Sequence, residues 1–182
     1  MADFLSQIDR SWTLFLDRDG VINQRIIGGY VDSIDDFVFL LGVLESIRVF
    51  NQKFGRIVIV TNQQGVGKGL MTPQQLAVVH AFMLAEIKRA RGHVDGVYFC
   101  TDLASDPNNC RKPSTIMAEN ARLDFPEIDF SKSVMVGDSN SDIQFGKNCG
   151  MKTVYIQSKN VKQNLNSDLT LNGLPELIDL IK

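Results

Sequence analysis

The chain has 182 residues, of which 44% are hydrophobic and 22% charged, and its formal net charge is −2. This composition supports a buried core and argues against wholesale disorder, and the length suits one domain spanning residues 1–182. The slightly acidic charge argues against a general nucleic-acid-binding protein, because such proteins usually carry a basic excess.

The N-terminal segment and the cysteines bear on the compartment. Residues 1–10 are mixed in polarity, and no N-terminal apolar stretch is long enough for a signal peptide or a membrane span. The chain has three cysteines, Cys100, Cys110 and Cys149, and so sparse and odd a set does not indicate a disulfide framework. We therefore expect a cytoplasmic protein without a membrane partner, as a monomer or a small homo-oligomer.

Short apolar runs alternate with amphipathic stretches along the chain. Five runs rich in Val, Ile and Phe, closely followed by Gly, Asp or Asn, are typical of strands in a buried parallel sheet. The predicted strands are Trp12–Leu16, Ile57–Val60, Val97–Cys100, Val134–Val136 and Thr153–Ile156.

The stretches around these strands have apolar residues at helical spacing. Thr72 and Pro73 indicate the start of a long helix that runs to about Arg91. Lys159–Thr170 is polar and is predicted to be a loop. The other predicted helices are Val43–Phe54, Ser114–Leu123, Ser139–Asn148 and Pro175–Ile181.

This alternation predicts an α/β fold, a three-layer doubly wound parallel sheet with helices on both faces. The intervals after the first and second strands are too short to hold a large cap domain. We expect an open site at the carboxyl ends of the strands, rimmed by the loops Asn23–Tyr30, Gly65–Leu70 and Thr101–Asn109.

Polar and charged residues follow four of the predicted strands. Carboxylates this close repel one another unless a cation lies among them, and hard oxygen ligands suit Mg²⁺. A metal and a lysine beside a hydroxyl and backbone amides form a phosphate receptor, in which a carboxylate can attack phosphorus. In strand order, the residues are Asp17 and Asp19, Thr61 to Gln63, Arg111 and Lys112, and Asp138 to Asp142.

These segments resemble the four ordered motifs of the haloacid dehalogenase-like (HAD) phosphatase superfamily. The resemblance implies a HAD-like Rossmannoid core and a magnesium-dependent phosphomonoester hydrolase that works through an aspartyl-phosphate. The residues that match, motif by motif, are Asp17, Asp19 and Gly20, then Thr61, then Lys112, then Asp138 with Asp142.

The resemblance also implies the role of each matching residue. Asp17 is the implied nucleophile, and Asp19 the group that protonates the leaving alkoxide and then activates the hydrolytic water. Lys112 neutralises the phosphoryl oxygens and orients Asp17, while Asp17, the backbone carbonyl of Asp19 and Asp138 bind Mg²⁺. Around them, Thr61, Asn62 and Gln63 are the implied substrate-binding residues, and Gly20, Ser139 and Asp142 the supporting residues.

The residues in and around these motifs further resemble the heptose-bisphosphate and histidinol-phosphate phosphatase family. This resemblance covers about residues 12–157. The segments are Asp17–Asn23, Gly29–Val31, Thr61–Gly65 with Gly67–Gly69, and Cys110–Pro113.

The family implies a small phosphorylated metabolite as the substrate, D-glycero-D-manno-heptose 1,7-bisphosphate first and histidinol phosphate second. Arg111 is an implied substrate contact, since an arginine fork can bind two oxygens of a second phosphate. Asn23 and Arg25 are further candidates, although the segment Gln24–Gly28 is about two residues longer than the usual pattern.

The family often carries a zinc loop of the form Cys-x-His, a spacer and Cys-x-Cys. Here Cys100 and Cys110 hold the outer positions, but Asp102 and Asn108 stand where the other two ligands are expected. Two thiolates, a carboxylate and an amide make a poor structural zinc site, so we expect no zinc and two ordinary, partly buried cysteines.

Two other functions are weighed against the phosphatase of small metabolites. Thr61–Gln63, the Gly-Lys-Gly stretch and Arg111–Pro113 also resemble DNA 3′-phosphatases, but the acidic balance and the lack of interleaved aromatic and basic residues argue against them. A catalytically inactive phosphate-binding module would not need the full set of three aspartates and a lysine.

Three residues near the motifs have structural interpretations. Arg18 is expected to point away from Asp17 and Asp19 if the strand geometry persists, and to give structural support. His80 is expected to be structural or solvent-facing, and Lys68 is better explained as a solvated lysine than as a substrate contact.

Overall fold

The computed structural model describes residues 3–157 and 165–181. Within these residues, six strands form one sheet in which every pairing is parallel. The strands are β1 Thr13–Leu16, β2 Arg56–Asn62, β3 Gly96–Cys100, β4 Ser133–Gly137, β5 Lys152–Ile156 and β6 Leu169–Leu171.

Helices cover both faces of this sheet. Leu14 and Leu16 of β1 pack in one core, while Phe15 between them packs in the core on the other face. The first core includes residues of α1, α3 and α6, and the second includes residues of α4 and α5. The helices are α1 Val43–Lys53, α2 Gln64–Gly67, α3 Pro73–Arg89, α4 Ile116–Asp124, α5 Asn140–Cys149 and α6 Leu174–Leu180.

The predicted three-layer, doubly wound parallel sheet is therefore confirmed. The interval between β1 and α1, residues 17–42, contains only isolated bridges, Asp19 to Asn23 and Asn23 to Phe39, as its strand pairing. No helix among the described residues has the length and apolarity needed to cross a membrane.

One predicted element is wrong in part. Residues 159–164 of the predicted loop lie outside the described residues, but Leu169–Leu171 forms β6, which pairs in parallel with β5. Leu171 is buried in the core beside α6, and a strand of only three residues is too short to show a strand periodicity.

The strand order is β3-β2-β1-β4-β5-β6. The chain builds outward from β1 through β2 to β3 and then returns to the other side of β1, so the topological switch lies between β1 and β4. Ligands bind at such a switch point, at the carboxyl ends of the strands. The backbone N–H of Asp17 donates to the carbonyl of Val136 over 2.9 Å, which fixes the first predicted catalytic residue at this point.

Candidate active site

A buried lysine connects the first and fourth motifs. Lys112 Nζ lies 2.7 Å from Asp17 Oδ1, 2.6 Å from Asp142 Oδ1 and 2.7 Å from the carbonyl oxygen of Val60. Burial alone would lower the pKa of Lys112, but the charges of Asp142 and Asp17 raise it above its ordinary value. The lysine is therefore a fixed positive charge beside Asp17.

Three hydrogen bonds hold Lys112 and Asp142 in this position. The backbone N–H of Lys112 donates to Asn62 Oδ1 over 2.9 Å, so the loop after β3 is tied to the end of β2. Asp142 Oδ2 accepts from the N–H and the hydroxyl of Ser139 over 3.0 and 2.6 Å, in a capping arrangement at the start of α5. This leaves the other carboxylate oxygen of Asp142 for the lysine.

Three carboxylates crowd this edge of the sheet. Ligand oxygens of Asp17, Asp138 and Asp142 all lie within 4.8 Å of one another. Burial, followed by the charge of Asp142, raises the pKa of Asp17. Burial also raises the pKa of Asp138, against the opposing effect of Arg25. The three carboxylates are therefore paired with only two cations in the part of the chain that the structure describes, Lys112 and the rim residue Arg25.

A divalent cation of the hard class fits this cluster. Carboxylate oxygens are the ligands that Mg²⁺ prefers. Gly20 leaves the room that Asp138 needs, because a Cβ at Gly20 would lie 2.0 Å from Asp138 Oδ2, and its φ of +95° also favours glycine. Arg25 Nη1 approaches the same carboxylate from the rim, at 3.1 Å from Oδ2 and 3.2 Å from Oδ1.

Asp19 is held by donors on both of its carboxylate oxygens. Arg18 Nη2 lies 2.9 Å from Oδ1 and 3.0 Å from Oδ2, Asn23 Nδ2 donates to Oδ1 over 2.9 Å, and Gln63 Nε2 donates to Oδ2 over 2.8 Å. Burial would raise the pKa of Asp19, but the charge of Arg18 and the hydrogen bonds together lower it. These contacts favour the ionised form of Asp19 in the substrate-free site.

The expected direction of Arg18 is wrong. The strand alternation does not persist past β1, which ends at Leu16. The chain turns instead at Arg18, whose carbonyl accepts from the N–H groups of Ile22 and Asn23 over 2.8 and 3.1 Å. This turn brings the guanidinium onto Asp19.

The guanidinium of Arg18 also contacts the buried histidine His80. Arg18 is fully buried, and its Nη1 lies 3.1 Å from His80 Nε2 of α3. Burial, followed by the charge of Arg18, lowers the pKa of His80 to about 4, so the neutral ring accepts this hydrogen bond. His80 is itself buried, in agreement with the structural interpretation of this residue.

A cavity of about 400 Å³ opens at the carboxyl ends of β1 and β4. Gly20, Asn23 and Gln63 are not among its lining residues; Asn23 and Gln63 contact Asp19 instead, and their predicted substrate contacts stay predictions. The predicted site residues that do line it are Asp17, Asp19, Arg25, Thr61, Asn62, Arg111, Lys112, Asp138, Ser139 and Asp142.

The cavity wall also contains residues that were not among the predicted site residues. Tyr30, Lys68 and Ser141 line it, and Lys68 Nζ lies 5.8 Å from the centre of the Tyr30 ring. The glycine-rich loops that carry Tyr30 and Lys68 were predicted to rim the site. The sequence favoured a solvated lysine at position 68 over a substrate contact, and nothing in it selects Tyr30 or Ser141 from the rest of the rim.

The cysteines beside the site differ from the expectation of two ordinary thiols. Cys100 and Cys110 form a disulfide with an S–S distance of 2.08 Å. The loop after β3 returns on itself because Asp102 Oδ2 accepts from the N–H of Cys110 over 2.9 Å, which brings the two cysteines together. Sulfurs bonded to each other are not thiolate ligands. The absence of zinc stays a prediction.

Known proteins resemble this chain over most of its length. Residues 109–172 match the family model described as HAD-hydrolase-like. The D-glycero-alpha-D-manno-heptose-1,7-bisphosphate 7-phosphatase of Mycobacterium bovis is 36% identical over 137 residues, which are 75% of this chain and 72% of that protein. The D-glycero-beta-D-manno-heptose-1,7-bisphosphate 7-phosphatase of Escherichia coli is 33% identical over 180 residues, with 93% of each chain covered. The chain belongs to the heptose bisphosphate phosphatase family.

A solved structure supports the same assignment. The D,D-heptose 1,7-bisphosphate phosphatase of B. bronchiseptica, complexed with magnesium and phosphate, matches this fold with a TM-score of 0.83 at 27% identity. The match covers 92% of this chain and 96% of that chain. The present member of the heptose bisphosphate phosphatase family therefore has the HAD-like core that its motifs predicted.

Proposed function

We propose that this protein is a magnesium-dependent phosphomonoester hydrolase that removes the 7-phosphate of D-glycero-D-manno-heptose 1,7-bisphosphate. The placement of Asp17 carries the proposal. This buried carboxylate contacts Lys112 and opens on a cavity whose wall also holds Arg25, Lys68 and Arg111. One phosphate at Asp17 uses the positive charge of Lys112, and the cations of the wall suit a second phosphate on the same sugar.

The chemistry follows from the contacts of two aspartates. Asp17 Oδ1 accepts from Lys112, which leaves Oδ2 to attack phosphorus. As the new O–P bond forms, the bond from phosphorus to the sugar oxygen breaks, and that oxygen receives a proton through Asp19, which takes it from the singly protonated phosphate of the substrate. Asp19 then takes a proton from a water whose oxygen attacks phosphorus, which releases phosphate and restores Asp17. Thr61 and Asn62 bind the phosphoryl oxygens during both steps.

Asp17, Asp138 and the backbone carbonyl of Asp19 would hold Mg²⁺. When bound, the ion neutralises negative charge on the phosphoryl oxygens. The charge deficit of the carboxylate cluster supports this role, and so does the magnesium and phosphate complex of the B. bronchiseptica relative.

Histidinol phosphate is the second candidate substrate. It carries one phosphate, so it would leave the cations at Lys68 and Arg111 without an anion to bind.

The names of relatives include both the alpha and the beta anomer of the heptose, and both belong in any test. The cytoplasmic location and the oligomeric state stay predictions.

Steady-state kinetics on a substrate panel test the proposal. The panel contains both heptose bisphosphate anomers, histidinol phosphate and an oligonucleotide with a 3′-phosphate, each with Mg²⁺. We expect the highest kcat/KM on one of the two heptose bisphosphates. A preference for histidinol phosphate or the oligonucleotide would contradict the proposed substrate. If none of the esters were hydrolysed, the proposed phosphatase activity would be wrong.

The variant Arg111→Ala tests the second-phosphate site. We expect it to lower kcat/KM for heptose bisphosphate more than for a heptose 7-monophosphate, because only the bisphosphate has the second anion. Arg48→Ala is the matched control, since Arg48 is a partly exposed arginine that pairs with Glu45 on α1, outside the cavity. Equal losses on both substrates would count against this role of Arg111.

A further inference from the structure

We propose that His80 is a positioning residue for Asp19 and that it acts through Arg18. This inference rests on the proposed function, in which Asp19 moves the protons of the reaction. His80 does not line the cavity, so it does not touch the substrate. Its connection to the reaction is a chain of two contacts, 3.1 Å from His80 Nε2 to Arg18 Nη1 and 2.9 Å from Arg18 Nη2 to Asp19 Oδ1.

The position of Arg18 depends on very few partners. The residue has no exposed surface, and its Nε has no hydrogen-bond partner among the described residues. The fork is held by Asp19 at Nη2 and by His80 at Nη1, while its central carbon lies 6.0 Å from the centre of the Phe37 ring. Loss of the His80 acceptor would leave a second buried donor unpaired, and the guanidinium would move to find a partner.

His80 suits the acceptor role because it stays neutral. Burial lowers its pKa far below 7, and the Phe99 ring packs with its centre 5.4 Å from that of the imidazole. A positive histidine would repel Arg18, whereas the neutral ring offers one lone pair to it. Helix α3 therefore supplies an acceptor to Arg18, although no residue of α3 lines the cavity.

Movement of Arg18 would change the direction of the Asp19 carboxylate. Arg18 contacts both oxygens of Asp19, whereas Asn23 and Gln63 each contact one. Proton transfer requires the carboxyl group to face the leaving oxygen, and even a small displacement lowers its efficiency. The effect depends on the leaving group, because an alkoxide needs the proton and p-nitrophenolate leaves without it.

The test compares an alkyl phosphate, the preferred heptose bisphosphate, with p-nitrophenyl phosphate in His80→Leu and His80→Gln. The glutamine keeps an oxygen acceptor, and the leucine fills the space without one. We expect His80→Leu to lower kcat/KM on the alkyl phosphate by about 10-fold or more and to leave kcat/KM on p-nitrophenyl phosphate within about 2-fold. The ratio kcat/KM reports the phosphorylation of Asp17, in which the leaving groups differ, and not the hydrolytic step that both substrates share. His80→Gln should restore most of the loss.

Met83→Leu, a buried substitution of similar volume on the same helix, is the matched control and should change neither substrate. Arg18→Lys provides a second route if His80→Leu does not fold, because lysine keeps the charge but lacks the fork that reaches both partners. It should show the same selective loss on the alkyl phosphate.

Equal losses of kcat/KM on the two substrates, or unchanged kcat/KM in the folded variant, would overturn the inference. A wild-type protein that hydrolyses neither substrate would instead overturn the proposed function, and the inference with it.

Discussion

The Nζ atom of Lys112 lies 2.7 Å from Oδ1 of Asp17, and both side chains are buried. The same ammonium group contacts Asp142, so one cation serves two carboxylates. This arrangement fixes the orientation of Asp17 before any substrate binds. One oxygen is engaged by the lysine, and the proposed mechanism assigns the attack on phosphorus to the other.

Replacement of this cation should destabilise the fold as well as the reaction. Lys112→Met would leave two buried carboxylates without their cation, and breaking a buried pair typically costs about 3–5 kcal/mol. We expect a loss of that size in the free energy of unfolding by urea titration, together with a fall in kcat of at least about 100-fold. Lys147→Met on the exposed side of α5 is the control and should cost under about 1 kcal/mol. Similar stabilities for the two variants would contradict the role of Lys112.

Arg25 should compete with Mg²⁺ for Asp138. Arg25 Nη1 lies 3.1 Å from Asp138 Oδ2, and its side chain is 56% exposed. An exposed pair contributes about 0.2–1 kcal/mol, so Arg25→Ala should tighten Mg²⁺ binding about 1.5- to 5-fold. Isothermal titration calorimetry without substrate measures this affinity. Asp138→Asn should weaken binding strongly, and unchanged or weaker affinity in Arg25→Ala would contradict the competition.

His80 should make the folded state sensitive to mild acid. Its pKa in the folded protein is about 4, below the ordinary value of 6.5, so the unfolded chain binds a proton first as the pH falls. The stability contribution is complete above pH 6.5 and is lost progressively towards pH 4, by up to roughly 3 kcal/mol. Urea titrations between pH 7 and 5 should show a shallower decline for His80→Gln than for the wild type. Parallel declines would show that His80 does not titrate this way.

Much of the site could be predicted because its groups follow strands. Asp17, Asp138 and Lys112 are distant in sequence, but the carboxyl ends of parallel strands meet at one edge, and the structure places all three around one cavity. The periodicity of buried strands located the ends before Asp17 and Asp138, whereas Lys112 lies 12 residues after the end of β3 and was selected by its resemblance to the third HAD motif.

The remaining features depend on turns and side-chain directions that periodicity does not contain. Arg18 contacts Asp19 because the chain turns where β1 ends, and the pairing of Cys100 with Cys110 follows from a loop that folds back on Asp102. The contact between Lys68 and Tyr30 joins two loops that are far apart in the sequence. None of these contacts repeats along the chain, so no periodic pattern in the sequence predicts them.

Trapping of the phosphorylated enzyme tests the role of Asp17 most directly. In Asp19→Asn the base of the second step is missing, so p-nitrophenyl phosphate should phosphorylate the protein faster than water releases the phosphate. Rapid quenching and borohydride reduction convert an aspartyl-phosphate to homoserine, which peptide mass spectrometry locates. We expect homoserine at position 17 alone, and none in the double variant Asp17→Asn, Asp19→Asn. Modification at another aspartate, or turnover by Asp17→Asn, would contradict the account.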